Sequence, residues 1–584
     1  MWQSVNAPDK TGHFIMNISK KRSWRLSVAA IVSTLVLLAP EGHGRDRITA
    51  GVDRLLAPWN RPDAPGAAVV IVKDGAVMLQ RGYGCANLEQ RTPITPQTVF
   101  DAASVAKQFT GLGIAMLVEQ GKISLDDDIH KYLPDVPDFG KRITVANLLH
   151  HTSGLRDWPE TLAISGLAME DVITLETILE MVRHQRELDF APGEEHQYSN
   201  TGYNLLAVIV AEVTGQSFRA WTEANLFRPL GMKQTHFCDN PAEVVRQRAD
   251  AYASGDHGTY RRAVSQLSAL GSSSLFITAE DMGKWLVNFE TARVGGKQAI
   301  DAMHQPGQLN SGQRVDYGFG VALGEYRGTK LLIHTGGWAG YRSAVVRLPE
   351  KKLGIAILSN AATLDAANLA LKIADLCLGP KPEDKPTVPP KTPAAAVKPD
   401  PSHWDAYLGT YRLGPNWWLT ITREGDRLMA QATRESKFKM TPRSDTHFFV
   451  EAYGAGVEFV RDGSGPVMRL RYRGIQAPKL TVTVLTPERL GGYAGDYWSD
   501  ELQRVVRLEI RGGQLMTWHR AAGWIRLLPT DADRFDTEAG QGIVFSRDAA
   551  LKVDEMKVSG GRVRHLRFRR VSLDKEPWEQ CHGL

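Results

Sequence analysis

The stretch Thr98-Val99-Phe100-Asp101-Ala102-Ala103-Ser104-Val105-Ala106-Lys107 decides how this chain is read. Ser104 and Lys107 are three apart, and Phe109, Leu112, Met116 and Leu117 follow at helical spacing. The pattern predicts an amphipathic helix opening at Ser104, with the hydroxyl and the amine on one face about a turn apart. A serine hydroxyl attacks a carbonyl only when a neighbour takes its proton. A lysine does this once burial or a nearby cation lowers its pKa. The helix start, with free N–H groups and a positive dipole end, favours an oxyanion beside Ser104. Alone, the pair also reads as a surface Ser and Lys on a helix.

Two further clusters follow. Tyr198-Ser199-Asn200 comes after Phe190-Ala191-Pro192-Gly193. A tyrosine near a lysine cation can become phenolate-like and relay protons, and Asn200 can hold the lysine or donate to a substrate carbonyl. His334-Thr335-Gly336-Gly337 follows the apolar Leu331-Leu332-Ile333. A strand ending in this sequence brings bare backbone close to a ligand. The N–H groups of Gly337 and Ser104 could then form an oxyanion hole, with His334 binding or polarising the substrate.

The order SxxK, YxN, [K/H]TG resembles the penicillin-recognising serine hydrolases, which include class C β-lactamases, DD-carboxypeptidases, esterases and D-aminopeptidases. Supporting phrases are Gly121-Lys-Ile-Ser-Leu-Asp-Asp127, Leu148-Leu-His-His-Thr-Ser-Gly-Leu155 and Tyr317-Gly-Phe-Gly320, within a span from about Val52 to Leu378. The resemblance implies an acyl-enzyme on Ser104, general acid and base work by Lys107 and Tyr198, and substrate binding by Asn200, His334, Thr335, Gly336 and Gly337. It gives His151 and Ser153 a structural role. His334 replaces the lysine that would meet a β-lactam carboxylate, and D-aminopeptidases of the family carry histidine there. The implied activity is therefore a D-stereospecific peptidase or amidase on cell-wall-type peptides. An esterase or weak β-lactamase on the same machinery, and a non-catalytic binding or scaffold protein, are the rivals.

The fold follows from the surrounding elements. Ala67–Val72, Lys73-Asp74-Gly75 and Ala76–Leu79 read as a hairpin. Thr278 could cap a helix at Asp281, and late strands are predicted at 331–333, 343–347 and 353–358. Strands at both ends with helices between predict an α+β domain, an antiparallel sheet flanked by helices, over 45–378. A proline-rich linker over 379–403 holds almost no large apolar residue. Beyond it, Tyr407-Leu-Gly-Thr-Tyr411 recurs as Tyr493-Ala-Gly-Asp-Tyr497, and Phe459-Val-Arg-Asp462 as Phe545-Ser-Arg-Asp548. The shared offset predicts two all-β, barrel-like domains over 404–486 and 487–575, then a tail over 576–584. Turns are expected at Glu424-Gly425-Asp426 and Gly512-Gly513. In D-aminopeptidases a loop of the last domain reaches the active site. The longer second repeat makes 549–560 the candidate for that loop here.

Composition narrows the classes. The 584 residues are 43% hydrophobic and 23% charged, enough apolar content for several cores. A net charge of +5 over that length is no nucleic-acid footprint, and the basic run Arg562–Arg570 reads as a strand with a solvated face. Lys20, Lys21, Arg22 and Arg25 before the apolar 26–39 form an export pattern over 1–44, with Met16 a candidate start and an uncleaved anchor the alternative. The expected location is periplasmic or cell-surface. Cys85, Cys238, Cys377 and Cys581 lack CxxC spacing. No metal or organic cofactor is expected. The expected partners are a small peptide, amide or ester, with no nucleic acid, membrane contact only through the N-terminus, and a homodimer allowed.

Overall fold

A computed structural model describes residues 41–572, except 169, 256–257, 381–400, 415–416, 433–436, 452–453, 462–466, 473–474, 481–484, 521 and 538–539. The export pattern, most of the proline-rich stretch, Asp462, Cys581 and the tail lie outside the described residues.

The first domain is built on a six-stranded antiparallel sheet. Its strands are β1 (Ala67–Lys73), β2 (Ala76–Tyr83), β3 (Ala322–Tyr326), β4 (Thr329–Trp338), β5 (Tyr341–Leu348) and β6 (Leu353–Ser359), in the order β3-β4-β5-β6-β1-β2. Asp74 and Gly75 link β1 to β2 with φ of 51° and 77°, as a two-residue hairpin with both residues left-handed requires. β1 and β6 are apolar almost throughout and nearly wholly buried, since helices cover the sheet. The helices Ala279–Thr291 and Ala366–Leu378 pack on it, and Thr278 accepts the N–H of Asp281 as the expected cap.

Two expectations need correction. The helix after Ser104, Lys107–Glu119, is not amphipathic: Lys107 to Ala115 are all buried. From Phe109 to Val118 its residues are apolar or small all round, so it runs through the core rather than along its edge. The strand expected over 331–333 is also longer, because β4 continues through Trp338 with Thr335, Gly336 and Gly337 paired to Ala344, Ser343 and Arg342. Glycine makes this possible. A Cβ on Gly336 would lie 2.3 Å from the Ala102 carbonyl and 2.2 Å from Ser343 Oγ.

Beyond the linker the described chain is β-rich, with a 3₁₀ turn at Pro401–Tyr407 and one short helix, Pro487–Gly491. Strands between Gly409 and Lys439 form a four-stranded sheet, and those between Thr441 and Pro478 a five-stranded one. The strands β7 (Gly495–Ser499), β8 (Arg504–Arg511), β9 (Gln514–His519), β10 (Gly523–Asp531), β11 (Arg534–Thr537), β12 (Gln541–Arg547), β13 (Val553–Gly560) and β14 (Val563–Val571) close into a barrel. The repeat markers do the same work in both units. Tyr411 donates to the Tyr407 carbonyl and Tyr497 to the Tyr493 carbonyl, each at 2.8 Å. Phe459 packs on the first pair and Phe545 on the second.

The last barrel is bolted to the first domain by buried charge. Arg156 lies 2.6 Å from Asp189 and 2.9 Å from Glu501, with all three side chains almost fully buried. Arg156 also donates to the Arg564 carbonyl, and the Arg564 N–H donates to Asp189 at 2.9 Å. Cys85, Cys238 and Cys377 are free thiols.

Candidate active site

Ser104 sits at a sharp entry from strand to helix. Strand Val99–Asp101 ends, Ala103 adopts φ 47°, and a 3₁₀ turn over Ala103–Ala106 leads into the buried helix. Asp101 accepts the Ala103 N–H at 2.8 Å and pins this bend. A left-handed alanine costs about 1–3 kcal/mol, held here by the packing around it. The result is selective exposure: Ala103, Val105 and Ala106 are buried, while Ser104 is open to a cleft.

Lys107 is fully buried below it. Its Nζ donates to Asn200 Oδ1 at 2.7 Å and to the Ser272 carbonyl at 2.8 Å, and lies 3.3 Å from Ser104 Oγ. Burial drives its pKa well below the usual lysine value; Asp157 opposes the shift and Arg562 adds to it. A neutral amine has two hydrogens and a lone pair. With both hydrogens spent on Asn200 and Ser272, the lone pair is left to accept the Ser104 proton.

Asn200 is fixed from behind. Its backbone N–H donates to Asp157 Oδ1 at 2.6 Å and its Nδ2 to Asp157 Oδ2 at 3.1 Å. These bonds orient Oδ1 toward Lys107. Tyr198 stands between two basic side chains, with Lys107 Nζ 4.8 Å and the Arg562 guanidinium 5.3 Å from its ring centre. Burial pushes its hydroxyl above the usual phenol range, opposed by a hydrogen bond with Ser104. The phenolate-like reading is therefore corrected: burial favours the protonated phenol of Tyr198, and it disfavours the charged form of Lys107 beside it. His151 accepts the Ser199 N–H at 3.1 Å and packs on Tyr198, so it shapes this turn.

His334 is buried, its Nδ1 2.7 Å from the Thr335 carbonyl and its Nε2 2.9 Å from the Tyr317 hydroxyl. A carbonyl only accepts, so Nδ1 carries the hydrogen and Tyr317 donates to Nε2. Burial, then Lys107, lowers its pKa to about 3, so the ring is neutral. Along β4, Thr335 and Gly337 are open and line the cleft, while Gly336 is pressed against Ala102 and Ala103. The eight residues marked from the sequence are thus brought together around one cleft of about 560 Å³, Lys107 and Gly336 from beneath its surface.

Sequence reasoning missed three acidic or basic members. Asp157 is fully buried, and burial raises its carboxyl to about 7 against the pull of Arg562. Arg562 Nη2 lies 2.8 Å from Asp157 and 3.0 Å from Glu160. The oppositely charged Arg156-Asp157 directly after the Leu148–Leu155 phrase was the available signal for Asp157. Arg562 had been assigned to a solvated face. Only the later part fits that reading, since Arg567 and Arg569 pair with Glu555 and Asp500 on the barrel. The reach into the cleft comes from the β13–β14 turn at Gly561-Arg562, not from the longer segment expected at 549–560. Most of that segment is β13 itself, which spans about 26 Å, so its first turn lies at the far end of the barrel. Among the described residues no group of three or more His, Cys, Asp or Glu could hold a metal.

Comparison with known proteins agrees with this geometry. The Beta-lactamase family profile matches residues 48–378, and a Domain of unknown function (DUF3471) matches 393–484. Penicillin-binding protein 4* of Bacillus subtilis (strain 168) is 27% identical over 407 residues, covering 67% of this chain and 89% of that protein. A D-aminopeptidase of Brucella melitensis is 24% identical over 525 residues, covering 87% of this chain and 96% of that one. The octameric penicillin-binding protein homologue from Pyrococcus abyssi shares the fold, with a TM-score of 0.54 at 22% identity over 81% of this chain and 97% of its own. With more than half of its length matched by that family, the chain belongs to the beta-lactamase family, as a D-aminopeptidase-like serine hydrolase.

Proposed function

We propose that the protein hydrolyses D-amino acid amides and peptides that carry a free amino end. Ser104 attacks the carbonyl as Lys107 takes its proton; Tyr198 relays that proton to the leaving amine. The Ser104 and Gly337 N–H groups hold the oxyanion, and Asn200 and Thr335 bind the substrate backbone. Water, activated by the same pair, then releases the acyl group. We place this reaction outside the cytoplasm, in the periplasm or at the cell surface, on the strength of the basic-then-apolar N-terminus.

The observation that carries the reading is the charge balance of the cleft. His334 is neutral, and the Arg562 cation is matched by both Asp157 and Glu160. Among the described residues lining the cleft, no unmatched cation is left for a substrate carboxylate, and the Glu160 carboxylate is at hand for an ammonium group. The test compares release of nitroaniline from D-alanine p-nitroanilide and its L isomer with release of nitrophenolate from p-nitrophenyl acetate and ring opening of nitrocefin, with Ser104→Ala as control. The D-anilide should be the best substrate, favoured over the L isomer by at least about tenfold, or 1.4 kcal/mol. Faster turnover of the ester or of nitrocefin overturns the reading.

A further inference from the structure

We infer that the last barrel is itself a binding site, for a small amphiphile with an apolar tail and an anionic head. A closed eight-stranded barrel has an interior that side chains just fill or that holds one small ligand. In this one Tyr493, Phe535 and Phe545 pack on one another, with ring centres 4.8–5.4 Å apart, and fill part of the interior. Beside them in the sheet, where Phe535 pairs with Ile543 and Phe545 with Met556, the aliphatic side chains of Leu508, Ile525, Ile543, Met556 and Val558 border a cavity of about 590 Å³. That volume lies within the roughly 300–1,000 Å³ of small-molecule sites. Its lining joins these apolar side chains to polar ones at the opening, which suits a guest with an apolar part and a polar part.

The rim states which guest. Trp518 and Trp524 are paired across β9 and β10 and are 56% and 37% exposed, a large apolar surface beside the opening. The other rim charges are matched: Arg507 by Asp496, Glu509 by Arg511, and Arg520 by Asp171. Arg504 is exposed at the mouth and has no ion-pair or hydrogen-bond partner for its guanidinium among the described residues. One unmatched cation above an apolar chamber selects an anionic head on an apolar tail. Ile164, at the end of the helix Trp158–Ile164, packs with the barrel core and borders the same cavity. Pro159 and Glu160 of that helix line the Ser104 cleft, so one short helix touches both cavities.

The experiment is titration of the full chain with sodium decanoate, read by calorimetry and tryptophan fluorescence. Sodium acetate and decyltrimethylammonium serve as head-only and wrong-charge controls. One decanoate should bind saturably, acetate should not bind, and the cationic analogue should bind at least about tenfold more weakly. Arg504→Glu, at an exposed position, should weaken decanoate about tenfold with an unchanged melting temperature. Val558→Trp should abolish binding by filling the chamber, with folding checked by circular dichroism. Absence of saturable binding, or equal decanoate affinity in wild type and Arg504→Glu, overturns the inference. The readout is binding alone and does not depend on hydrolytic activity.

Discussion

Arg562 of the last barrel lies 2.8 Å from Asp157 of the first domain, and Asp157 in turn fixes Asn200, which holds Lys107. A side chain from the C-terminal end of the described chain thereby sets the electrostatics around Ser104. The relationship makes the barrel part of the site rather than an appendage to it.

Arg562→Ala should therefore act on turnover more than on substrate affinity. It leaves Asp157 buried without its cation, the situation in which a buried charge is most costly. The carboxyl then takes up a proton, and the two bonds to Asn200 weaken. We expect kcat on D-alanine p-nitroanilide to fall at least about tenfold, with partial retention in Arg562→Lys, which keeps the charge but not the forked geometry. Unchanged kcat in Arg562→Ala would show that the barrel only covers the cleft.

Asp157 gives the site a pH signature. Its carboxyl titrates at about 7 in the folded protein against 3.8 for the free group, so the folded state holds the proton more tightly. Its contribution to stability is fully present below about 3.8 and is lost as pH rises to about 7. Activity runs the other way, because the ionised carboxylate pairs with Arg562 and accepts from Asn200. The kcat/KM profile should show an acid limb near 7, and Asp157→Asn should lower the plateau and remove that limb. Persistence of the limb at the same pH in Asp157→Asn rejects the assignment.

His334→Lys should shift substrate preference. The neutral imidazole offers no charge to a carboxylate, whereas a lysine at this position would bring one to the cleft. The ratio of kcat/KM for nitrocefin to that for D-alanine p-nitroanilide should rise about tenfold or more. A ratio equal to that of wild type would show that His334 does not set the preference.

Arg156→Ala should loosen the barrel. It strands Asp189 and Glu501, both buried, and a broken buried pair costs roughly 3–5 kcal/mol. Calorimetry should show a lower melting temperature, with the barrel transition separating from that of the first domain. Melting as a single transition at the wild-type temperature would exclude the bolt.

Much of the site was legible because its members announce themselves locally. Ser104 and Lys107 are one helical turn apart, Tyr198 and Asn200 flank one residue, and Thr335 to Gly337 share a strand. The hairpin at Asp74-Gly75 and the tyrosine markers of the two β-domains are likewise short-range patterns with one physical meaning. The reading failed where a local pattern has two meanings. The apolar face after Ser104 could not tell a surface helix from one buried on all sides. The basic run at 562–570 did not separate the arginines that stay on the barrel from the one that leaves it.

The sequence by itself determined the candidate nucleophile Ser104, the elements that carry it, the antiparallel sheet and the β-rich second half. All of these follow from spacing, glycine placement and hydrophobic period. Only the tertiary structure decided which way Lys107, Tyr198 and His334 shift from their usual pKa values, because burial drives the shifts and burial belongs to the packed whole. It alone decided that Arg562 meets Asp157. An ion pair between residues so far apart in the chain leaves no periodic trace, and forms only when the barrel docks and brings the two charges into one low-dielectric space.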